Sequence, residues 1–194
     1  MKSRHLILLP LLAALLSPLA HAQSPIFEVE PQQSSIKFYV KASVALTGAF
    51  DKWDATLKFA SPEVTTGVLE IEIQSASVDT GSGMKNNKLT GKDFFDVEQN
   101  PTIAFKSTKI VQTGPDTFDV PGTFTIRGVS NPETLKLTVH GHGTGLGDVH
   151  GKMVFDRKDY GMNKGIPFIK IADHVEVNIH LKAKRIGGPV LVEK

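Results

Sequence analysis

The sequence predicts an all-β protein built from antiparallel strands. Three observations carry this reading. Apolar and polar residues alternate in eight separate segments after residue 22. The gaps between the segments hold turn-forming residues, and no stretch of useful length after residue 22 repeats at the helical spacing. Each segment has one apolar face and one mostly polar face, the pattern of an antiparallel sheet with one side in water.

In chain order, Ile36, Phe38 and Val40 alternate with Lys37, Tyr39 and Lys41. Ala55, Leu57 and Phe59 alternate with Thr56 and Lys58, and Leu69, Ile71 and Ile73 with Glu70, Glu72 and Gln74. Ile103 and Phe105 form a short fourth segment. Val120, Gly122, Phe124 and Ile126 form a fifth, within which Pro121 predicts an edge or a strand start. Leu135, Leu137 and Val139 form the sixth; Val149, Gly151, Met153 and Phe155 the seventh; Val175, Val177, Ile179 and Leu181 the eighth. Turns are expected at Ser61-Pro62, Gly114-Pro115-Asp116, Gly128 to Pro132 and Gly143 to Gly147. One short helical segment is expected around Asn86 to Phe95.

Composition narrows the function classes. The chain has 194 residues, 40% hydrophobic and 22% charged, which suits one folded domain. It has no Cys, which excludes disulfides, thiolate metal sites and a Cys nucleophile. No run of apolar residues is long enough for a transmembrane helix. Residues 1–22 read as a cleavable signal peptide: Lys2 and Arg4, an apolar run from Leu6 to Leu16, then Ala20-His21-Ala22 before the cleavage point. Residues 23–194 are then the mature domain. Cleavage removes two basic residues and no acidic ones, leaving 20 of each sign, so broad nucleic-acid binding has no electrostatic basis. The expected location is the periplasm, or the medium beyond it.

A sandwich and a closed barrel both fit eight such strands. Alternation puts Phe38, Ile71, Phe105, Phe124, Phe155 and Val177 on the inner face, with Glu70, Glu72, Lys136 and Glu176 outside. Periodicity does not tell a filled interior from a hollow one.

Several segments resemble the YceI-like family of exported, lipocalin-like proteins. They are Thr47-Gly48-Ala49-Phe50, Val78-Asp79-Thr80-Gly81, Asp93-Phe94-Phe95-Asp96 and Asn100 to Ser107. Val120 to Leu137 and Phe155-Asp156-Arg157-Lys158-Asp159-Tyr160-Gly161 complete the set. The resemblance spans nearly all of 26–185 and rests on the order and spacing of the motifs together. It implies a single eight-stranded antiparallel lipocalin-like barrel, with the short helical segment near one mouth. It also implies an apolar tunnel for a polyisoprenoid or similar long lipid, and no cofactor. Val40 and Phe50 join the inward residues as expected ligand contacts, Phe94 and Phe95 cover the mouth, and Arg157 points inward toward Asp159 or a ligand phosphate. Pairing of two chains into a homodimer is left open.

Two other functions are weighed against the carrier. An enzyme on lipid-like substrates needs a buried base or nucleophile, and Arg157 with Asp159 is the only weak candidate pair. A metal-binding protein would use the hairpin around Gly145. If that hairpin is symmetric about residue 145, His140 faces His150 and His142 faces Asp148, all on the outer side. Three imidazoles and a carboxylate suit zinc, nickel or copper.

Overall fold

The computed structural model describes residues 23–43, 46–141, 143–165 and 170–192. Residues 1–22, on which the signal-peptide reading falls, and His142 lie outside the described residues. Twelve strands and one α-helix follow in chain order: β1 (Ile26–Val29), β2 (Ser35–Ala42), β3 (Leu46–Phe50), β4 (Trp53–Phe59), β5 (Gly67–Gln74), β6 (Val78–Asp79), α1 (Gly83–Thr90), β7 (Thr102–Ser107), β8 (Val111–Gln112), β9 (Thr117–Ile126), β10 (Val129–His140), β11 (Leu146–Asp156) and β12 (Ile171–Gly187).

Eight of these strands close a ring in the order β1-β4-β5-β7-β9-β10-β11-β12, and β12 returns to β1. Every neighbouring pair in that ring is antiparallel. Closure leaves no edge within the ring, which a sandwich does not achieve. On the edge away from β11, the 17-residue β12 serves two strands in turn: Ile171 to His180 pair with β2, and Ala183 to Gly187 with β1. β1 and β2 are in effect one strand, broken by a 3-10 turn at Pro31–Gln33.

All eight expected strands are present, and the inward set falls where alternation puts it. Phe38, Ile71, Phe105, Phe124 and Phe155 are buried, and Val177 packs half-buried against them. Ile71 pairs with Phe105, and Phe105 with Phe124, so apolar residues stack around the barrel. A slip of one residue would carry Glu70 and Glu72 into this layer, which fixes the register. On the outer face, Glu70 lies 2.6 Å from Lys106, and Glu176 lies 2.8 Å from Lys152.

Four local expectations are corrected. The helix runs Gly83–Thr90, earlier than 86–95, and Phe94 and Phe95 sit in the turn after it. Asn86 anchors that start: its Oδ1 accepts from the Thr80 amide and its Nδ2 donates to Asp79. The turn expected over Gly128 to Pro132 shrinks to Arg127-Gly128, whose φ angles of 55° and 72° form a two-residue hairpin suited to strand twist. Pro132 therefore lies inside β10, opposite Thr123. Pro121 occupies an interior strand, not an edge. Its carbonyl accepts the Thr108 N–H, so its nitrogen faces the gap where β9 exchanges β7 for β8 and no ladder bond is lost. Finally, His140 pairs with Asp148 and Thr138 with His150, which centres the last hairpin on Thr144. Gly141, Gly143 and Gly145 all have φ near +80° and take the tight reversal that other residues resist.

Candidate ligand-binding cavities

Among the described residues, two apolar cavities lie along the barrel. The first, about 210 Å³, opens beneath α1 and the turn that follows it. Its wall comes from β2 and β3 (Phe38, Val40, Phe50), from β9 and β11 (Phe124, Phe155) and from β12 (Val175, Val177). Leu89, Phe94 and Phe95 close it from the α1 side. Phe38, Phe50 and Phe95 form a chain of tilted rings with centroids 5.7 and 5.9 Å apart. Phe124, Phe155 and Tyr160 form a second cluster at 5.1 to 5.5 Å. Such pairs add to simple burial and hold the rings in place. Among the described lining residues only Lys85, Lys88 and Arg157 are charged.

The second cavity, about 450 Å³, sits at the opposite end, lined by β1, the β10–β11 hairpin and Val190 to Val192. The order of residues along each strand shows what separates the two. On β5, Ile73 lines the first cavity and Leu69 the second, with Ile71 between them. On β9, Phe124 and Phe118 flank Val120 in the same way. Ile71, Phe105, Val120, Leu135 and Met153 are buried and line neither cavity, so they form a packed waist. Gly122 makes room there: a Cβ at this position would lie 2.7 Å from the Phe105 ring and 2.5 Å from the Lys106 carbonyl. Of the expected contacts, Phe38, Val40, Phe50, Phe94, Phe95, Phe124, Phe155, Arg157 and Val177 line the first cavity, whereas Ile71 and Phe105 belong to the waist.

Arg157 is 6% exposed and does turn inward. Its partner is Asp173, at 3.0 Å, not Asp159. The guanidinium also donates to the carbonyls of Ala172, Lys164 and Met162. Four of its five N–H groups thus staple the segment after β11 to the start of β12. Lys158 reaches the other Asp173 oxygen at 2.7 Å, and this bond, with the nearby Arg157, holds the Asp173 carboxyl below its usual range. At the mouth, Lys88 binds Asp93 at 2.7 Å and lies 5.7 Å from the centre of the Phe94 ring. Tyr160, fully buried, donates to Glu133 at 3.1 Å; burial pushes both groups upward.

A separate polar cluster lies on the outer face of β11 and β12. Asp148 Oδ1 is 2.7 Å from His180 Nε2 and 3.3 Å from His150 Nε2. Lys182 holds Asp148 Oδ2 at 2.6 Å, and with His180 it pulls the carboxyl down to about 2. His180 was absent from the set read from sequence. Its outward parity was visible, but the connection from Arg157 to Lys170 concealed which residue of β12 faces His150. His140 stands one strand away, its ring centre 6.1 Å from that of His150.

The YceI-like domain profile matches residues 27–183. The UPF0312 protein of Pseudomonas savastanoi pv. phaseolicola is 32% identical over 126 residues, 64% of this chain. The match spans 66% of that relative, just under two thirds of its length. The structure of Burkholderia cenocepacia BcnA is similar at a TM-score of 0.72 and 29% identity, over 80% of this chain and 99% of that one. A polyisoprenoid binding domain from Saccharophagus degradans shares the fold at a TM-score of 0.66 and 17% identity, over 83% of this chain and 99% of its own. The profile spans the barrel from β1 into β12: the chain belongs to the YceI-like family.

Proposed function

We propose that this protein is an exported carrier that holds a polyisoprenoid or similar long-chain lipid, such as a quinone, prenyl phosphate or fatty amide, inside the barrel without transforming it. The observation that carries this reading is the first cavity, walled by aromatic and aliphatic side chains, with its charged groups, Lys85, Lys88 and Arg157, placed on α1 and in the turn just after β11. A long apolar chain gains about 0.8 kcal/mol per methylene withdrawn from water. Ten methylenes supply on the order of 8 kcal/mol before ordering costs, enough for useful affinity. Lys85 and Lys88 stand at the mouth, where a polar or anionic head group meets them while the tail passes inward.

An enzymatic role finds less support. Arg157 is committed to carbonyls and Asp173, and the buried Tyr160 is held by Glu133. The relationship to a polyisoprenoid binding domain supports binding in the same direction.

Native mass spectrometry of protein purified from the exported fraction tests the proposal. The expected spectrum shows a mature chain starting at Gln23 with a non-covalent lipid adduct that organic extraction removes. A chain carrying no lipid, and taking up no long-chain isoprenoid when offered it, would overturn the carrier reading.

A further inference from the structure

Beyond the lipid cavity, we infer that Asp148, His150 and His180 form a divalent transition-metal site on the outer wall of the barrel. Their ligand atoms all lie within 4.8 Å of one another. The three come from adjacent strands in a fixed register: His150 pairs with His180 across β11 and β12, and Asp148 precedes His150 by two residues on the same face. The sheet thus pre-positions the donors, so ordering them takes little entropy compared with donors on a loop.

The distances suit a tetrahedral ion. Ligands about 2.0–2.2 Å from zinc stand roughly 3.3–3.5 Å from one another. The Asp148–His150 separation is 3.3 Å, and the Asp148–His180 separation of 2.7 Å needs to open only slightly. The two imidazoles now stack with centres 4.6 Å apart and planes 14° from parallel. Turning each ring about its soft terminal torsion points both Nε2 lone pairs at one ion. Asp148 Oδ1 completes three protein ligands, and the exposed side leaves a fourth position for water. Lys182 stays on Asp148 Oδ2, where it orients the carboxylate and also repels the ion, which keeps the affinity moderate. Two nitrogens and one oxygen favour zinc, copper(II) or nickel over calcium, which takes oxygen ligands. His140, across β10, stands outside the ligand set.

The test is zinc titration by calorimetry on the tag-free mature protein, with His180→Ala, Asp148→Asn and His140→Ala alongside. All three side chains lie on the outer polar face, and circular dichroism checks each fold. The site requires one equivalent of zinc bound by the parent protein, at least tenfold weaker binding in His180→Ala and Asp148→Asn, and unchanged binding in His140→Ala. Absence of zinc binding by the parent protein overturns the inference. So does equal binding by a folded His180→Ala or Asp148→Asn, or loss of binding in His140→Ala.

Discussion

Replacing Val40 by Thr swaps one methyl of the first cavity's wall for a hydroxyl of nearly equal size. Val40 is 5% exposed, lines that cavity and pairs with Val175 on β12 and Leu46 on β3. The strand ladder already uses the surrounding backbone groups, and the nearest wall neighbours are apolar. In the empty protein, a cavity of about 210 Å³ has room for water, about 30 Å³ each, to solvate the new hydroxyl. Stability should therefore fall by only about 1 kcal/mol. An entering lipid tail expels that water and strands the hydroxyl, at about 1–3 kcal/mol. Affinity for a long-chain isoprenoid should fall about 5- to 150-fold. The assay is displacement of a fluorescent isoprenoid analogue, with thermal unfolding followed in parallel. Val154→Thr, on the outer face and 46% exposed, should bind as the parent does. A folded Val40→Thr protein with unchanged affinity would refute the reasoning.

The waist and the Arg157–Asp173 staple carry three further predictions. Phe105→Ala removes the ring that covers Gly122, at about 3–5 kcal/mol of stability, and should join the two cavities, raising affinity for long chains relative to short ones; an unchanged chain-length preference in a folded variant counts against the waist. Arg157→Met leaves the carbonyls of Ala172, Met162 and Lys164 without their donor and should lower stability by about 2–4 kcal/mol, seen as a drop of several degrees in Tm. Calorimetry showing the parent Tm would contradict that staple. The Asp173 carboxyl is held below its ordinary 3.8 by Lys158 first and Arg157 second. Its contribution is thus present above that value and lost as pH falls through the lower folded value. The urea-midpoint gap between the parent protein and Asp173→Asn should be full near neutrality and close below about pH 4; a gap that persists unchanged to strongly acid pH argues against the pairing.

Much of the fold was legible because the barrel wall has one wet and one dry face. Glu70, Glu72, Lys136 and Glu176 mark the outside at every second position, so parity alone separates them from Ile71, Leu135 and Val177. β1, β6 and β8 are two to four residues long and carry too few alternations to register. The waist was not legible: Ile71 and Phe105 share parity with Ile73 and Phe124, and only position along the barrel axis decides which of them meet open space. Arg157 was read as inward from parity, but its partner lies across the connection to β12, whose length sets no register. The same gap concealed His180. The hairpin centre shifted because three left-handed glycines tighten the turn, a preference that glycine permits but does not dictate.

The carrier account rests most directly on where a bound lipid lies. A crystal structure of the mature protein saturated with a long-chain isoprenoid settles it. The account predicts continuous density in the first cavity, its tail between Phe38, Phe124 and Phe155 and its head beside Lys85 and Lys88. Density confined to the outer surface, with the first cavity empty and its wall unchanged, would contradict it.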